Sequence, residues 1–136
     1  MPGYTNTTDL HKYVGGIFET AYADPELGPN LAATGAVLLV ACHDPESEVV
    51  LDLPARKVYS SVSEAPTAPN ATLRMSTDTA NRFWQGKVNM TIAMAKGDVK
   101  AEGSVIKVLK LVPSTKHLFP LYIQSLKDDG REELIA

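Results

Sequence analysis

The 136-residue sequence contains a single cysteine, Cys42, and no apolar run long enough for a membrane-spanning helix. One cysteine excludes an internal disulfide bond, and its position in an apolar run favours a buried, reduced side chain over a reactive thiol. A transmembrane helix needs about 20 consecutive apolar residues, so we expect a soluble protein. The N-terminal segment also lacks the basic and apolar regions of a signal peptide, which predicts a cytoplasmic location.

Excess charge of one sign is also missing. The chain has 13 basic and 16 acidic residues, which leaves a net charge of −3. This balance gives no electrostatic reason to expect nucleic acid or an anionic membrane as a strong partner. The length and the apolar fraction of 44% are typical of one globular domain, here predicted over residues 1–136.

The sequence has no motif of a nucleophilic hydrolase, a phosphate loop or a zinc site. The histidines are too scattered to match a zinc motif, and we expect the first two to be solvated: His11, His43 and His117. Two pairs leave an acid–base role open, although surface or helix-capping roles are favoured: His117 with Tyr122, and Asp78 with Asn81. No catalytic residue, metal or cofactor is predicted.

The first half of the chain shows one helical pattern followed by strand patterns. Apolar residues recur at helical spacing over residues 8–23, so this helix has one apolar face. The apolar run 35–44 predicts a central strand covered on both faces, and residues 48–56 and 57–63 predict two more strands. Residues 70–77 alternate as a fourth strand, with Ala71, Leu73 and Met75 on one face.

Helical periodicity returns from residue 77. Thr77 or Asp78 is predicted to cap a helix, which is followed by a short helical segment between Gly86 and Gly97 and a fifth strand over 98–103. Residues 104–112 predict a helix whose apolar face consists of Val105, Val108, Leu109 and Val112. Residues 113–136 predict a hydrophobic C-terminal helical extension, in which Pro120 starts or kinks a helix. This order of elements predicts an α+β fold with helices layered on a sheet.

Three segments of the second half carry a family resemblance: "ATLRMSTDTANRFWQGK", "MTIAMAKGDVKAEGS" and "VIKVLKLV". A strand leads into a helix, a Gly-Lys step follows, a short helix ends in Ala-x-x-x-Gly, and the next strand closes on Gly. This pattern resembles the sterol carrier protein type 2 family of nonspecific lipid-transfer domains. Ser104 departs from the Asp or Asn expected there, and the tail beyond Val112 is longer and more hydrophobic than in short family members.

The resemblance implies a mixed five-stranded sheet covered by helices on one face, enclosing an apolar cavity. It also implies non-catalytic binding of sterols, fatty acids or fatty acyl-CoA esters. Flexible, polarizable methionines suit such a cavity, although an ordinary core role is the competing interpretation. The residues predicted to line the cavity are Met75, Phe83, Trp84, Met90, Ile92, Met94, Val105, Leu109, Phe119 and Tyr122.

The expected partner is an apolar lipid, and several alternatives stay open. The same cavity would suit a small enzyme that cyclises or isomerises a steroid-like or polyketide-like substrate. An accessory domain of a lipid-modifying enzyme, docked through an exposed tail, is a further alternative. Transient membrane contact and a homodimer through the C-terminal helix also stay open. Four lysines have the positive charge to attract a lipid head group, although a solvated helix face is favoured: Lys87, Lys96, Lys107 and Lys110.

Overall fold

The structure is a computed structural model that describes Tyr4 and residues 6–136. The strands are β1 Val37–His43, β2 Ser47–Asp52, β3 Lys57–Tyr59, β4 Ala71–Ser76 and β5 Lys100–Gly103. The helices are α1 Gly16–Tyr22, α2 Leu27–Ala33, α3 Thr77–Phe83, α4 Met90–Lys96, α5 Val105–Thr115 and α6 Phe119–Asp128. A π-helical turn, His11–Gly15, leads into α1, and short 3₁₀ turns cover Val62–Glu64 and Glu132–Leu134.

The five strands form one mixed sheet in the order β3-β2-β1-β4-β5. β1 and β4 run parallel, whereas the other neighbours are antiparallel. The alternation predicted in β4 is confirmed, because Ala71, Leu73 and Met75 are buried and Arg74 is exposed on the opposite face. On that outer face Arg74 pairs with Glu102 of β5. The α+β class with a mixed five-stranded sheet is therefore confirmed.

The predicted coverage of β1 on both faces is wrong. Leu38, Val40 and Cys42 point to the helical side and belong to the core, but Leu39 and Ala41 on the outer face are only half-buried. The strand predicted over 57–63 is also shorter than expected, since β3 ends at Tyr59 and a 3₁₀ turn follows. The helices therefore cover one face of the sheet, as the resemblance implied.

The N-terminal helical prediction is confirmed, and a second helix was missed. Residues 11–22 are helical and bury one apolar face. Sequence reasoning took the prolines and glycine near residues 24–30 as a break, but α2 lies there. The Asp24 carboxylate accepts hydrogen bonds from the backbone N–H groups of Glu26 and Leu27, at 2.8 and 2.9 Å. Pro29 is tolerated because the first turn of a helix leaves its N–H groups without helical partners.

The capping prediction for α3 is wrong by one residue. Ser76 is the N-cap, and its hydroxyl accepts a hydrogen bond from the Thr79 backbone N–H at 3.1 Å. The Thr77 hydroxyl instead donates to the carbonyl of Asp44, which ties the start of α3 to the end of β1. Asn89 caps α4 in the same way, through a 3.1 Å bond from the Ile92 N–H.

α5 buries a different stripe from the one predicted. Its inward residues are Val108, Leu111 and Thr115. Leu109, which was placed on the apolar face, is 51% exposed. The helix also continues to Thr115, beyond the predicted end at residue 112.

The C-terminal segment packs against the body of the protein. α6 begins with Pro120 in its first turn, so the proline starts this helix and does not kink it. The side chains of Leu118, Tyr122, Leu126 and Leu134 are completely buried in the main core cluster. The apolar excess of residues 113–136 is therefore used largely within the chain.

Asn81 of α3 and Gln85 of the turn that follows it hold the C-terminal residues. Asn81 Nδ2 and Gln85 Nε2 both donate to the Leu134 carbonyl, at 2.7 and 2.8 Å. Gln85 Oε1 accepts from the Ala136 N–H at 2.7 Å, and the Tyr122 hydroxyl donates to Asn81 Oδ1 at 2.7 Å. Because buried polar groups are costly when left unpaired, this network fixes the end of the chain against α3. Within residues 6–136, no helix combines the length and apolarity needed to cross a bilayer.

Candidate ligand-binding groove

An open groove of about 510 Å³ lies where the segment joining α3 to α4 faces the junction of α5 and α6. Its volume falls within the roughly 300–1,000 Å³ of typical small-molecule sites. Five apolar side chains line it: Phe83, Val88, Met90, Val112 and Phe119. Lys87 and Lys116 line it as well, so positive charge lies beside an apolar surface.

One wall of the groove begins where α3 ends at a glycine. The Gly86 N–H bonds to the Phe83 carbonyl and the Lys87 N–H to the Arg82 carbonyl, at 2.9 and 3.0 Å. These two bonds form a common C-terminal turn of helices, in which a residue just after the helix adopts the left-handed conformation. Gly86 is that residue, with φ +80°. A β-carbon at Gly86 would lie 2.9 Å from the Phe119 ring. Glycine therefore lets α6 approach the end of α3 closely.

Three of the ten predicted cavity residues come together in this groove. Phe83 and Phe119 form an edge-to-face pair with ring centroids 6.1 Å apart, and Met90 lines the groove with them. Sequence reasoning did not name Val88 as a lining residue and assigned Val112 only to a helix face. For Val88, the Gly-Lys step just before it was the available sequence signal. For Val112, nothing in the sequence indicated that α5 faces the segment between α3 and α4.

The other seven predicted residues lie elsewhere. Met75, Trp84 and Tyr122 are core residues with exposed fractions of 2%, 2% and 0%. The remaining four are half-buried or exposed: Met94 and Val105 are half-buried, and Ile92 and Leu109 are 53% and 51% exposed. An enclosed cavity reached by the core members of this set stays a prediction.

Trp84 connects the groove to the core. Its ring lies edge-to-face with Phe83, at 4.9 Å between centroids, and with Phe18 of α1, at 5.5 Å. The indole Nε1 is buried and has no hydrogen-bond partner within the described part of the chain. A buried donor without a partner carries a desolvation cost, which a ligand oxygen or a water molecule would relieve.

The acid–base pairs left open by the sequence do not form. Tyr122 is fully buried and bonds to Tyr4 and Asn81, whereas His117 is exposed. Burial, as the main cause, raises the pKa of the Tyr122 phenol, which keeps this group neutral. Asp78 accepts from Arg82 Nε at 3.3 Å and is not paired with Asn81.

The titratable side chains of the described groove lining are the lysines Lys87 and Lys116. Among the described residues that line the groove there is no carboxylate and no histidine. His43, at the end of β1, does not line this groove. It is exposed, and its Nδ1 lies 3.0 Å from Oδ2 of Asp44. The expectation of a solvated His43 is confirmed, whereas His11 is half-buried beside Gly15.

A second open depression, of about 480 Å³, lies at the end of the β1–β2 hairpin. Its lining is dominated by polar and charged side chains: His43, Glu46, Ser47, Glu48 and Arg74. It also contains Cys42, whose burial raises the pKa of the thiol to about 12, so that the reactive thiolate is suppressed. Its apolar lining side chains are only Ala41 and Cys42, whereas the first groove has five larger ones.

A mixed five-stranded sheet covered on one face by helices places the chain in the α+β class. The sequence profile of the SCP-2 sterol transfer family matches residues 17–116, which is most of the chain. The protein therefore belongs to the SCP-2 sterol transfer family. A comparison with curated protein sequences found no significant match.

Solved structures agree with this fold. The sterol carrier protein domain 2 of Helicoverpa armigera is 18% identical with a TM-score of 0.68, over 88% of this chain and 95% of that one. The Aedes aegypti sterol carrier protein-2 in complex with palmitate is 21% identical with a TM-score of 0.57, over 85% and 99% of the two chains. The ubiquinone synthesis protein UbiJ-SCP2 is 15% identical with a TM-score of 0.62, over 80% and 95%.

Proposed function

We propose that this protein binds a fatty acid, or a similar single-chain lipid with an anionic head, non-covalently in the groove between α3–α4 and α5–α6. The observation that carries this proposal is the pairing of five apolar lining residues with Lys87 and Lys116. Neither lysine forms an ion pair within the described residues, so both ammonium groups are available to a carboxylate. The match between an amphiphile and this two-part lining supports the assignment.

The energetics fit a carrier. Each buried methylene contributes about 0.8 kcal/mol, so a sixteen-carbon chain contributes roughly 12 kcal/mol when fully buried. Association costs of about 4–15 kcal/mol oppose this gain. The remainder is a moderate affinity, which permits both loading and release. The complex of the Aedes aegypti relative with palmitate supports the choice of ligand class.

The chain of the lipid has a route beyond the open groove. Phe83 separates the groove from Trp84, and Met90 is flexible enough to move aside for a guest. A ligand that displaced these side chains would approach the buried indole of Trp84, whose N–H has no partner within the described residues. Sterols and acyl-CoA esters are further candidate ligands of the same site.

The alternatives receive less support. An enzyme that cyclises or isomerises its substrate needs an acid or base beside it, and the described groove lining provides only lysines as titratable groups. An accessory role through an exposed tail is weakened because Leu126 and Leu134 are buried in the protein's own core. The same burial removes these residues from a homodimer contact. We infer that the protein carries lipid between membranes in the cytoplasm, a role that suits a moderate affinity.

A binding assay tests the proposal through the only tryptophan of the chain, Trp84. Because Trp84 lies 4.9 Å from Phe83, we expect palmitate to change its fluorescence in a saturable titration. Val88→Glu places a carboxylate in the groove, where it opposes both the apolar chain and the anionic head, and we expect binding to weaken roughly tenfold or more. Native mass spectrometry of protein purified from its own host would identify the lipid it carries.

Val62→Glu is the matched control. Val62 is 40% exposed on the 3₁₀ turn after β3, outside the groove, so the same change there should leave palmitate binding unaltered. Equal binding by the wild-type protein and Val88→Glu, with both folded by circular dichroism, would exclude this groove. No saturable response to palmitate, to a sterol or to an acyl-CoA would refute the carrier function itself.

A further inference from the structure

The outer face of α5 exposes large aliphatic side chains. Ile106 is 69% exposed and Leu109 is 51% exposed. Residues three apart lie on the same side of a helix, so both project from one face. The opposite face of α5 is the one that packs on the core, through Val108 and Leu111. The exposed pair therefore does not contribute to the core.

Positive charge surrounds this face. Residues 79–97 and 103–127 contain no aspartate or glutamate, although the chain as a whole has a net charge of −3. Lys110 and Lys116 lie on the exposed side of α5 and its end, and Lys87 lies on the opposite wall of the groove. None of these three lysines forms an ion pair in the part of the chain that the structure describes. One acidic residue, Asp24, lies close enough to His117, the neighbour of Lys116 in the chain, to interact with it electrostatically.

The same face leads into the groove. Val112 follows Leu109 by three positions, and Lys116 follows Val112 by four. Residues at these spacings are neighbours on a helix surface, so the three side chains lie along one side of α5. Val112 and Lys116 both line the groove. A surface that covered Ile106 and Leu109 would therefore lie at the mouth of the groove.

We propose that the outer face of α5 docks on an anionic lipid bilayer. Ile106 and Leu109 insert among the head groups, while Lys110 and Lys116 contact lipid phosphates and carboxylates. This inference rests on the proposed function, because docking in this orientation brings the groove to its supply of lipid. Isolated apolar side chains flanked by lysines are the pattern by which helices bind the bilayer interface.

Charge complementarity selects the bilayer over a second copy of the chain. Two α5 faces of the same positive charge would repel each other. A stable protein interface also needs about 800 Å² from each partner, and two exposed aliphatic residues provide only a small part of that area. A bilayer has no such minimum, because it accepts single side chains and lets lysines extend to the head groups.

Co-sedimentation with vesicles tests the proposal. We expect the full chain to bind phosphatidylcholine vesicles that contain phosphatidylserine, to bind pure phosphatidylcholine much less, and to be released by salt. The double variant Ile106→Asp/Leu109→Asp should lose at least roughly tenfold in vesicle affinity, since two aliphatic side chains no longer insert. Lys110→Gln should lose about fivefold, the contribution of one lysine near an anionic surface. Val62→Asp, at a 40% exposed aliphatic residue outside the face, should bind as the wild type does.

Two outcomes would overturn the docking face. One is equal vesicle binding by the wild-type protein and the double variant. The other is a lack of vesicle binding together with a dimer that the double variant abolishes, which would assign the face to a second copy. The palmitate titration through Trp84 separates this inference from the proposed function. Ile106 and Leu109 do not line the groove, so the double variant should still bind palmitate whether or not the docking face is correct.

Discussion

Replacing Gly86 by alanine tests the link between the end of α3 and the groove. Gly86 has φ +80°, and a β-carbon there would lie 2.9 Å from Cδ2 and 3.2 Å from Cε2 of Phe119. The Phe119 ring must therefore move, and it is one of the walls of the groove. We expect Gly86→Ala to destabilise the fold and to weaken palmitate binding.

Gly97→Ala separates the two causes of this effect. Gly97 ends α4 with φ +84°, nearly the same backbone conformation, but a β-carbon there meets no atom within 4 Å. Left-handed backbone costs a residue with a side chain about 1–2 kcal/mol, and both variants should lose this amount. Gly86→Ala should lose a further 1–3 kcal/mol, roughly, from the displaced ring. The difference between the variants therefore measures the contact with Phe119.

Two measurements follow from this comparison. Urea unfolding monitored by Trp84 fluorescence gives the free energy of unfolding of each variant, and the palmitate titration gives its affinity. Gly97→Ala should bind palmitate as the wild type does despite its lower stability. The reasoning would be refuted if Gly97→Ala weakened binding as much as Gly86→Ala, or if Gly86→Ala left binding unchanged.

Two further predictions concern the core. Leu126→Ala should lower the free energy of unfolding by about 2–5 kcal/mol, because the side chain is completely buried, whereas Leu109→Ala at a 51% exposed site should change it by less than about 0.5 kcal/mol. Similar losses in urea titrations would contradict the packing of the C-terminal segment. Burial raises the pKa of the Cys42 thiol to about 12. At about pH 8 only on the order of one thiol in 10⁴ is then ionised, so Ellman's reagent should react slowly with the native protein and rapidly in urea. Rapid reaction of the folded protein would show that the thiol is accessible.

Local patterns were sufficient for much of the fold. The alternation of residues 71–76 matched β4 because side chains on a strand point to opposite faces at every second residue. The one-faced helix near the N-terminus and the start of α6 at Pro120 were predictable for the same kind of reason. Each of these features depends on neighbours within a few residues.

Errors occurred where two local interpretations were close in energy. Ser76, Thr77 and Asp78 are all good capping residues. The structure places the Asp44 carbonyl, just after β1, where the Thr77 hydroxyl donates to it, and Ser76 caps α3. Over residues 105–112 of α5 only Lys107 and Lys110 are not aliphatic, so a rotation of one position was allowed by the sequence. The sheet beneath α5 selected Val108 and Leu111 for the core.

The candidate site shows the same division. Phe83, Met90 and Phe119 were named from their residue types and the family resemblance, and they meet in the groove. Val88 was missed because its role depends on the turn at Gly86. Met75 and Tyr122 were also predicted to line the cavity; the structure packs both in the core, and their contact with a ligand stays a prediction.

The sequence by itself determined the helical and strand periodicities, the lack of catalytic motifs and the family of the protein, because these features depend on residue types and short spacings. Tertiary structure alone decided which apolar residues face a groove and which fill the core. It also decided that the C-terminal segment completes the core, through the bonds of Asn81 and Gln85 to Leu134. These contacts join residues about 50 positions apart, and their partners are set by the order of the strands and the packing of the helices on one face of the sheet.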